Sequence, residues 1–220
     1  TDLADVIRRR GTVYLLGRED PYASASPLMT AVAEHVLDTG LLYRAVGVLT
    51  DRAGRDLDDA AAAAETARAL RAEDLEDAAF RTRAAGECAS RVAAHPQVRQ
   101  ALLDLQRSFA RRPGGAILDG RDIGTVIAPE APAKLYVTAA PEIRAERRRR
   151  QLIGQGEAVD FEEILADILR RDARDGGRAD APMVQAKDAV LLDTSEMTID
   201  QAADAARRIV EAARARWTSS

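Results

Sequence analysis

Asp119-Gly120-Arg121-Asp122 sets two carboxylates on either side of one guanidinium, on a turn that carries a glycine. The turn follows Ala116–Leu118, an apolar run that reads as a short buried strand, and it leads into Ile123-Gly124-Thr125-Val126. Open α/β sheets bind ligands at the carboxyl ends of their strands. An arginine at that edge offers a planar fork matched to phosphate oxygens. The same residues read equally well as a strand-terminating bend closed by a local ion pair.

Other groupings could join such a site. Asp38-Thr39-Gly40 ends a very short strand candidate, Val36-Leu37, and glycine lets the backbone turn sharply out of it. Tyr43 and Arg44 then fall one turn into the next helix; by themselves they are a capped helix with a surface arginine. Arg171 and Asp175 are four residues apart and share a helix face. The run Arg147–Arg150 reads as a solvated helix face or as a cationic lid. Of the 32 basic residues only Lys134 and Lys187 are lysines, which leaves 30 arginines.

The elements that must position these groups alternate along the chain. Thr12–Leu16 is β-branched and apolar, a first strand. Ser26-Pro27 has the form of a helix start, with a helix to about His35. Leu41 to about Arg52 is apolar at helical spacing. Residues 56–112 are rich in alanine and charge, with helical periodicity; Pro96 starts a helix over Gln97–Ala110, and Pro113-Gly114-Gly115 ends it. Lys134–Thr138 and Ala189–Asp193 are further strands. Helices are expected at Pro141 to about Leu152, Phe161–Arg174 and Ile199–Trp217. Strands separated by helices imply an α/β fold with a parallel sheet.

Composition bounds the reading. The length of 220 residues suits one α/β domain with insertions, and a hydrophobic share of 46% supports a sizeable core. Aromatic residues make up 4%, so that core must be aliphatic. A net charge of −4 argues against a globally basic nucleic-acid binder. One cysteine, Cys88, forms no internal disulfide and suits a reducing cytosol. No apolar run reaches the length of a membrane span, and Thr1–Arg10 lacks a signal-peptide stretch. A cytoplasmic protein is expected.

From about Leu37 to about Arg208 the chain resembles the bacterial cytidylate kinases of the P-loop nucleoside monophosphate kinase superfamily. Four strings carry the likeness in order: Asp38–Arg44; Ala89-Ser90-Arg91-Val92-Ala93-Ala94 with Val98-Arg99; Asp119–Val126 with Ala128–Pro132; and Arg170–Arg178. The resemblance implies a parallel five-stranded sheet flanked by helices, with a helical acceptor-binding insertion and a lid. The core would be about 1–52, 113–146 and 186–220, the insertion about 53–112 and the lid about 147–185. It implies transfer of a phosphoryl group from ATP, with Mg2+, to CMP or dCMP. It places Thr39, Tyr43 and Arg44 in the CMP pocket, with Arg44 on the phosphate. Ser90 would bond the base or sugar, and Arg99 would help to read cytosine, whose ring edge accepts hydrogen bonds. Arg121, Arg171 and Arg178 would hold phosphates, Asp122 would position the acceptor or its arginines, and Asp175 would meet the sugar hydroxyls. Asp38 could orient magnesium-bound water. Where the family has Arg-Asn, this chain has Gly176-Gly177, one cation fewer.

The donor loop departs from the pattern. A phosphate loop reads GxxxxGK[ST], its backbone N–H groups converging on phosphates and its lysine reaching the β and γ groups. Between the first strand and first helix stands Gly17-Arg18-Glu19-Asp20-Pro21-Tyr22-Ala23-Ser24-Ala25-Ser26-Pro27, with no glycine after Gly17 and no lysine. Glu19 and Asp20 would repel a triphosphate. The expectation is a cytidylate kinase with much weakened catalysis; the alternative is a CMP-binding module that has lost ATP binding.

Overall fold

In the computed structural model the described residues are 11–16, 36–71, 74–75, 77–112, 115–154, 156–177 and 181–218. The Gly17–Pro27 loop and the helix expected to about His35 lie outside them, as does Arg178. In chain order the elements are β1 (Gly11–Leu16), β2 (Val36–Asp38), α1 (Thr39–Arg52), α2 (Ala60–Ala69), α3 (Arg83–Val92), α4 (Pro96–Ala110), β3 (Ala116–Gly120), β4 (Ala133–Thr138), α5 (Pro141–Gly154), α6 (Phe161–Gly176), β5 (Val190–Asp193) and α7 (Ile199–Thr218). A short 3-10 turn, Ala78–Arg81, precedes α3, and a π-helical turn, Ile123–Ile127, follows β3. The chain divides into two compact units, Leu16–Gly120 and Thr1–Leu15 with Arg121–Ser220.

In Leu16–Gly120 the helices begin where side-chain acceptors meet their first free amides. Asp38 Oδ1 accepts from the Leu41 amide at 3.2 Å, and Asp59 Oδ1 from those of Ala61 and Ala62 at 2.9 and 3.1 Å. Thr82 Oγ1 accepts from the Ala85 amide at 3.2 Å. Pro96 opens α4, where its missing N–H costs nothing. At the end of α1, Gly54 adopts φ +68°; its amide bonds Asp51 O at 2.8 Å, and the Arg55 amide bonds Thr50 O at 3.1 Å. This is the paired C-terminal closure that favours glycine. α1 packs on α3, and α2 on α4. Leu42, Val46, Val92, Val98, Leu102, Ile117 and Leu118 are buried with Phe80, an aliphatic core as composition requires. β2 and β3 pair in parallel, with Val36 opposite Ile117, Leu37 opposite Leu118 and Asp38 opposite Asp119.

In the other unit β4 and β5 are also parallel, from Leu135 opposite Val190 to Thr138 opposite Asp193. β1 is not: it runs antiparallel to β4, with Thr12 opposite Tyr136 and Tyr14 opposite Lys134. The expectation of a uniformly parallel sheet is corrected at this strand. An apolar, β-branched run specifies a strand but not its direction, and mixed sheets are common. α5 and α6 close over Ala145, Leu152 and Ile164, with Phe161, Leu165 and Ile168 against them. α7 lies on β4 and β5.

Lys134, one of the two lysines, is spent on structure. Its side chain is 4% exposed; Nζ donates to Asp188 Oδ2 at 2.6 Å and to Pro129 O. It anchors β4 to the turn before β5.

Candidate active site

In Leu16–Gly120 the candidate residues fall at the carboxyl ends of β2 and β3 and on α1, α3 and α4. Asp38 and Asp119 are register partners at this edge. Asp119 was legible as a flanking carboxylate of the turn, but its pairing with Asp38 depends on strand register, which the sequence does not print. Thr39 is buried, and its hydroxyl donates to Asp119 O at 2.7 Å. That bond locks the first residue of α1 to the last turn of β3 and leaves the hydroxyl oxygen able to accept. Gly40 leaves room in the same bend: a Cβ there would stand 3.0 Å from Asp38 Oδ1, so the capping carboxylate would have to shift. Tyr43 and Arg44 follow on α1, both half-buried.

Ser90 lies buried in the last turn of α3, and Arg99 lies buried in the first turn of α4. The join between these helices is pinned from the α1–α2 loop. Arg91 Nε and Nη2 donate to the two oxygens of Asp58 at 3.1 and 2.6 Å, Nη2 also reaches Asp56 at 3.3 Å, and His95 Nε2 lies 2.9 Å from Leu57 O. The Arg91 hydrogen bond holds the Asp58 carboxyl below its ordinary 3.8.

Sequence pattern did not single out Gly47, which the packing makes important. A Cβ at this position would lie 2.7 Å from Cys88 Cβ and 2.8 Å from the Cys88 carbonyl carbon. Only glycine permits this approach of α1 to α3, the helices that carry Tyr43, Arg44 and Ser90. A glycine in mid-helix, which costs helical stability, was the available signal. Cys88 is partly buried at the crossing, and burial pushes its thiol above the ordinary 9.0, which favours the neutral form.

In the unit containing Arg121–Ser220, the π-helical turn organises the second half of the Asp-Gly-Arg-Asp string. Asp122 O accepts amides from Thr125, Val126 and Ile127 at 3.3, 2.9 and 3.3 Å, and Ala128 N donates to Ile123 O at 2.7 Å. Such turns are rare and frequent at functional sites. Asp122 is buried at its head. Arg121 Nε donates to Asp175 Oδ2 at 3.0 Å, across 54 positions of sequence. Two residues singled out in separate motifs therefore meet. Asp175 is buried in the last turn of α6, and Arg171 is half-buried one turn earlier. Gly177 cannot carry a side chain without strain, because a Cβ would stand 2.9 Å from Ala173 O, whereas Gly176 faces open space.

The arginine run on α5 divides by environment. Arg147 donates to Thr194 Oγ1 at 3.1 Å and Thr194 O at 2.6 Å, tying α5 to the turn after β5. Arg149 and Arg150 pair with Glu146 at 3.2 and 2.8 Å, and Arg148 bonds Gln151 at 2.7 Å. Arg121, by contrast, meets a buried carboxylate, that of Asp175 in the last turn of α6.

A family model described as cytidylate kinase matches residues 24–212. A protein named cytidylate kinase from Caulobacter sp. (strain K31) is 64% identical over 209 residues, covering 93% of this chain and 97% of that protein. One of the same name from Caulobacter vibrioides is 73% identical over 182 residues, covering 82% of this chain and 85% of that protein. Another, from Xanthobacter autotrophicus, is 63% identical over 179 residues, or 81% and 86% of the two chains. An α/β scaffold with these likenesses is that of an enzyme of the kinase class, a phosphotransferase. The chain belongs to the cytidylate kinase family.

Proposed function

We propose that this chain transfers a phosphoryl group from ATP to CMP or dCMP, giving CDP or dCDP, at a rate much reduced by its altered donor loop. The observation that carries the acceptor half is the Arg121–Asp175 contact at 3.0 Å. It joins a phosphate-type guanidinium to the carboxylate assigned to the sugar, as a nucleoside monophosphate requires of adjacent groups. Arg44, Arg121, Arg171 and Arg178 would hold phosphate oxygens, over which charge spreads during transfer. Asp122 would orient the acceptor or these arginines. Thr39, Tyr43, Ser90 and Arg99 would shape the pocket for the base and sugar, and Asp175 would accept from sugar hydroxyls. The attacking atom is an oxygen of the CMP phosphate, in line with the bond that breaks to release ADP. The five strands would form one sheet, with residues 53–112 as the acceptor-binding insertion and 147–185 as the lid.

Mg2+ would come with the donor and supply neutralisation of its phosphates. Among the described residues no three His, Cys, Asp or Glu side chains gather into a cation cage. Asp38 and Asp119, paired at one strand edge, suit an ion held through its water shell rather than directly. The donor fits less well. Gly17–Pro27 lacks the glycine, lysine and hydroxyl set of a phosphate loop, and loss of such preorganised charge typically costs about 10²–10³ in rate. That same loop favours the second reading, a CMP-binding module without ATP binding. We propose further a monomer in the cytoplasm, with nucleotides rather than nucleic acid as partners; among the described residues no helix is long and apolar enough to cross a membrane.

Separate calorimetric titrations with CMP and with Mg·ATP, followed by a turnover assay, test the proposal. CMP binding with slow turnover is expected. CMP binding without ATP binding or turnover selects the second reading. Turnover at a rate ordinary for kinases, about 1–100 s⁻¹, would overturn the donor-loop argument, and absence of CMP binding would overturn the acceptor half.

A further inference from the structure

α6 carries Arg171, Asp172 and Asp175 within five residues, and two arginines grip it from outside. Arg121 holds Asp175. Arg144, on α5, grips Asp172 through both oxygens: Nη1 to Oδ1 at 3.1 Å and Nη2 to Oδ2 at 2.5 Å. Its third nitrogen, Nε, donates to Ala139 O at 2.9 Å, just beyond the end of β4. The guanidinium therefore bridges a strand end and a helix, with both partners largely shielded at 15% and 23% exposure. The pairs Arg170–Asp167 and Arg207–Asp204 differ, lying within one helix three residues apart.

A bidentate fork fixed at a third point sets orientation as well as charge. Successive helix residues are rotated by about 100°, so Asp172 sits about 100° round α6 from Arg171 and about 60° from Asp175, beside the line that those two share. A grip at Asp172 therefore opposes rotation of α6 about its axis, the motion that would swing Arg171 and Asp175 together off a ligand. We infer that Arg144 and Asp172 are positioning residues that set the axial rotation of α6, and with it the aim of Arg171 and Asp175 at the acceptor nucleotide. The inference rests on the acceptor reading given above and adds to it two residues that touch no substrate.

The test titrates the full chain with CMP and with dCMP, in wild type, Arg144→Lys, Asp172→Asn and the double variant, alongside thermal midpoints. Lysine keeps the charge and loses the fork; asparagine keeps the shape and loses the charge. Each single variant should weaken CMP about 10-fold or more, the scale of small misplacements in a binding site. The double variant should be no more than about 3-fold worse than either single one, since both remove one interaction. The ratio of CMP to dCMP affinity should also change, because Asp175 is aimed at the sugar; a merely structural pair would lower the midpoint and leave that ratio alone. Asp204→Asn, in an exposed pair on α7, should change neither. Wild-type affinity and ratio in both single variants would overturn the inference while leaving the acceptor reading intact. A wild-type chain that binds neither nucleotide would overturn the acceptor reading itself. Asp172→Asn is isosteric, so it reports the same coupling should Arg144→Lys fail to fold.

Discussion

Replacing Gly47 with alanine adds one methyl group where α1 crosses α3. Its carbon would sit 2.7 Å from Cys88 Cβ, 2.8 Å from the Cys88 carbonyl carbon and 3.0 Å from its oxygen. Favourable carbon contacts lie at about 3.5–4.0 Å, so the helices must separate by about 1 Å. Two of the three clashing atoms are backbone, so no change of side-chain rotamer relieves them. Overpacking of this kind costs about 1–3 kcal/mol. Alanine returns about 0.8–1 kcal/mol of helix propensity over glycine. The difference is about 0–2 kcal/mol, and because the whole helix has to move the upper half of that range, a net loss of about 1–2 kcal/mol, is expected. At about 2–4 °C per kcal/mol for a chain of this size, the thermal midpoint should fall by about 2–8 °C. Gly47 follows Tyr43 by one turn, and Cys88 precedes Ser90 by two residues, so CMP affinity should weaken as well. Gly154→Ala is the control: it ends α5 with nothing within 4 Å of the added carbon, and should be neutral or slightly stabilising. Thermal unfolding of both variants and CMP titration of the first are the assays. A Gly47→Ala chain as stable as wild type would refute the close approach of the two helices.

Three further outcomes follow from the geometry. Gly176→Arg meets open space and should restore a phosphate-directed cation, raising nucleotide affinity measured by calorimetry, whereas Gly177→Asn at the adjacent position should lower the thermal midpoint. Asp188→Ala should destabilise more than Lys134→Met in chemical denaturation, by about 1–2 kcal/mol; it strands a buried ammonium, whereas removing Lys134 returns an exposed carboxylate to water. Asp58 is depressed below 3.8 by its hydrogen bond to Arg91, so its pair contributes stability above that pH and loses it only as pH falls through the lower folded value. The difference in thermal midpoint between wild type and Asp58→Asn should be small, constant from about pH 8 to 5, and should shrink only in stronger acid.

Much of the α/β pattern could be read from punctuation. Asp38, Asp59 and Asp160 cap helices where aspartate stands before an apolar period, and Pro96 and Gly54 mark a start and an end because of their backbone chemistry. The π-helical turn after Asp122 was not legible, since Ile-Gly-Thr-Val-Ile carries no period that separates it from a loop. The direction of β1 was not legible either, because alternation and β-branching are the same read in either sense. Arginine was the hardest residue to assign. Thirty of them look alike in sequence, yet Arg147 ties a turn, Arg91 clamps a loop, Arg144 grips a helix and Arg121 meets Asp175. Each partner lies at least 28 positions away, and local pattern is blind at that range.

The two functional readings share everything except the donor loop, and the contacts described explain why they can. Thr39 to Asp119, Arg91 to Asp58, Arg144 to Asp172 and Arg121 to Asp175 each join residues beyond position 38. None of these four bonds depends on Gly17–Pro27 for either partner. Within each unit, the residues proposed for the acceptor are held by local capping, by the glycine-mediated crossing of α1 and α3, and by arginine–carboxylate pairs that form without a triphosphate. A chain built this way can keep affinity for a nucleoside monophosphate while its donor loop changes, so CMP affinity and turnover should respond to different substitutions. Variants of Thr39, Arg121 or Asp175 should lose CMP binding and turnover together. Insertion of a glycine–lysine–threonine set between Gly17 and Pro27 should raise turnover with little change in CMP affinity. If that insertion altered CMP affinity as much as turnover, the independence of the acceptor side would be wrong.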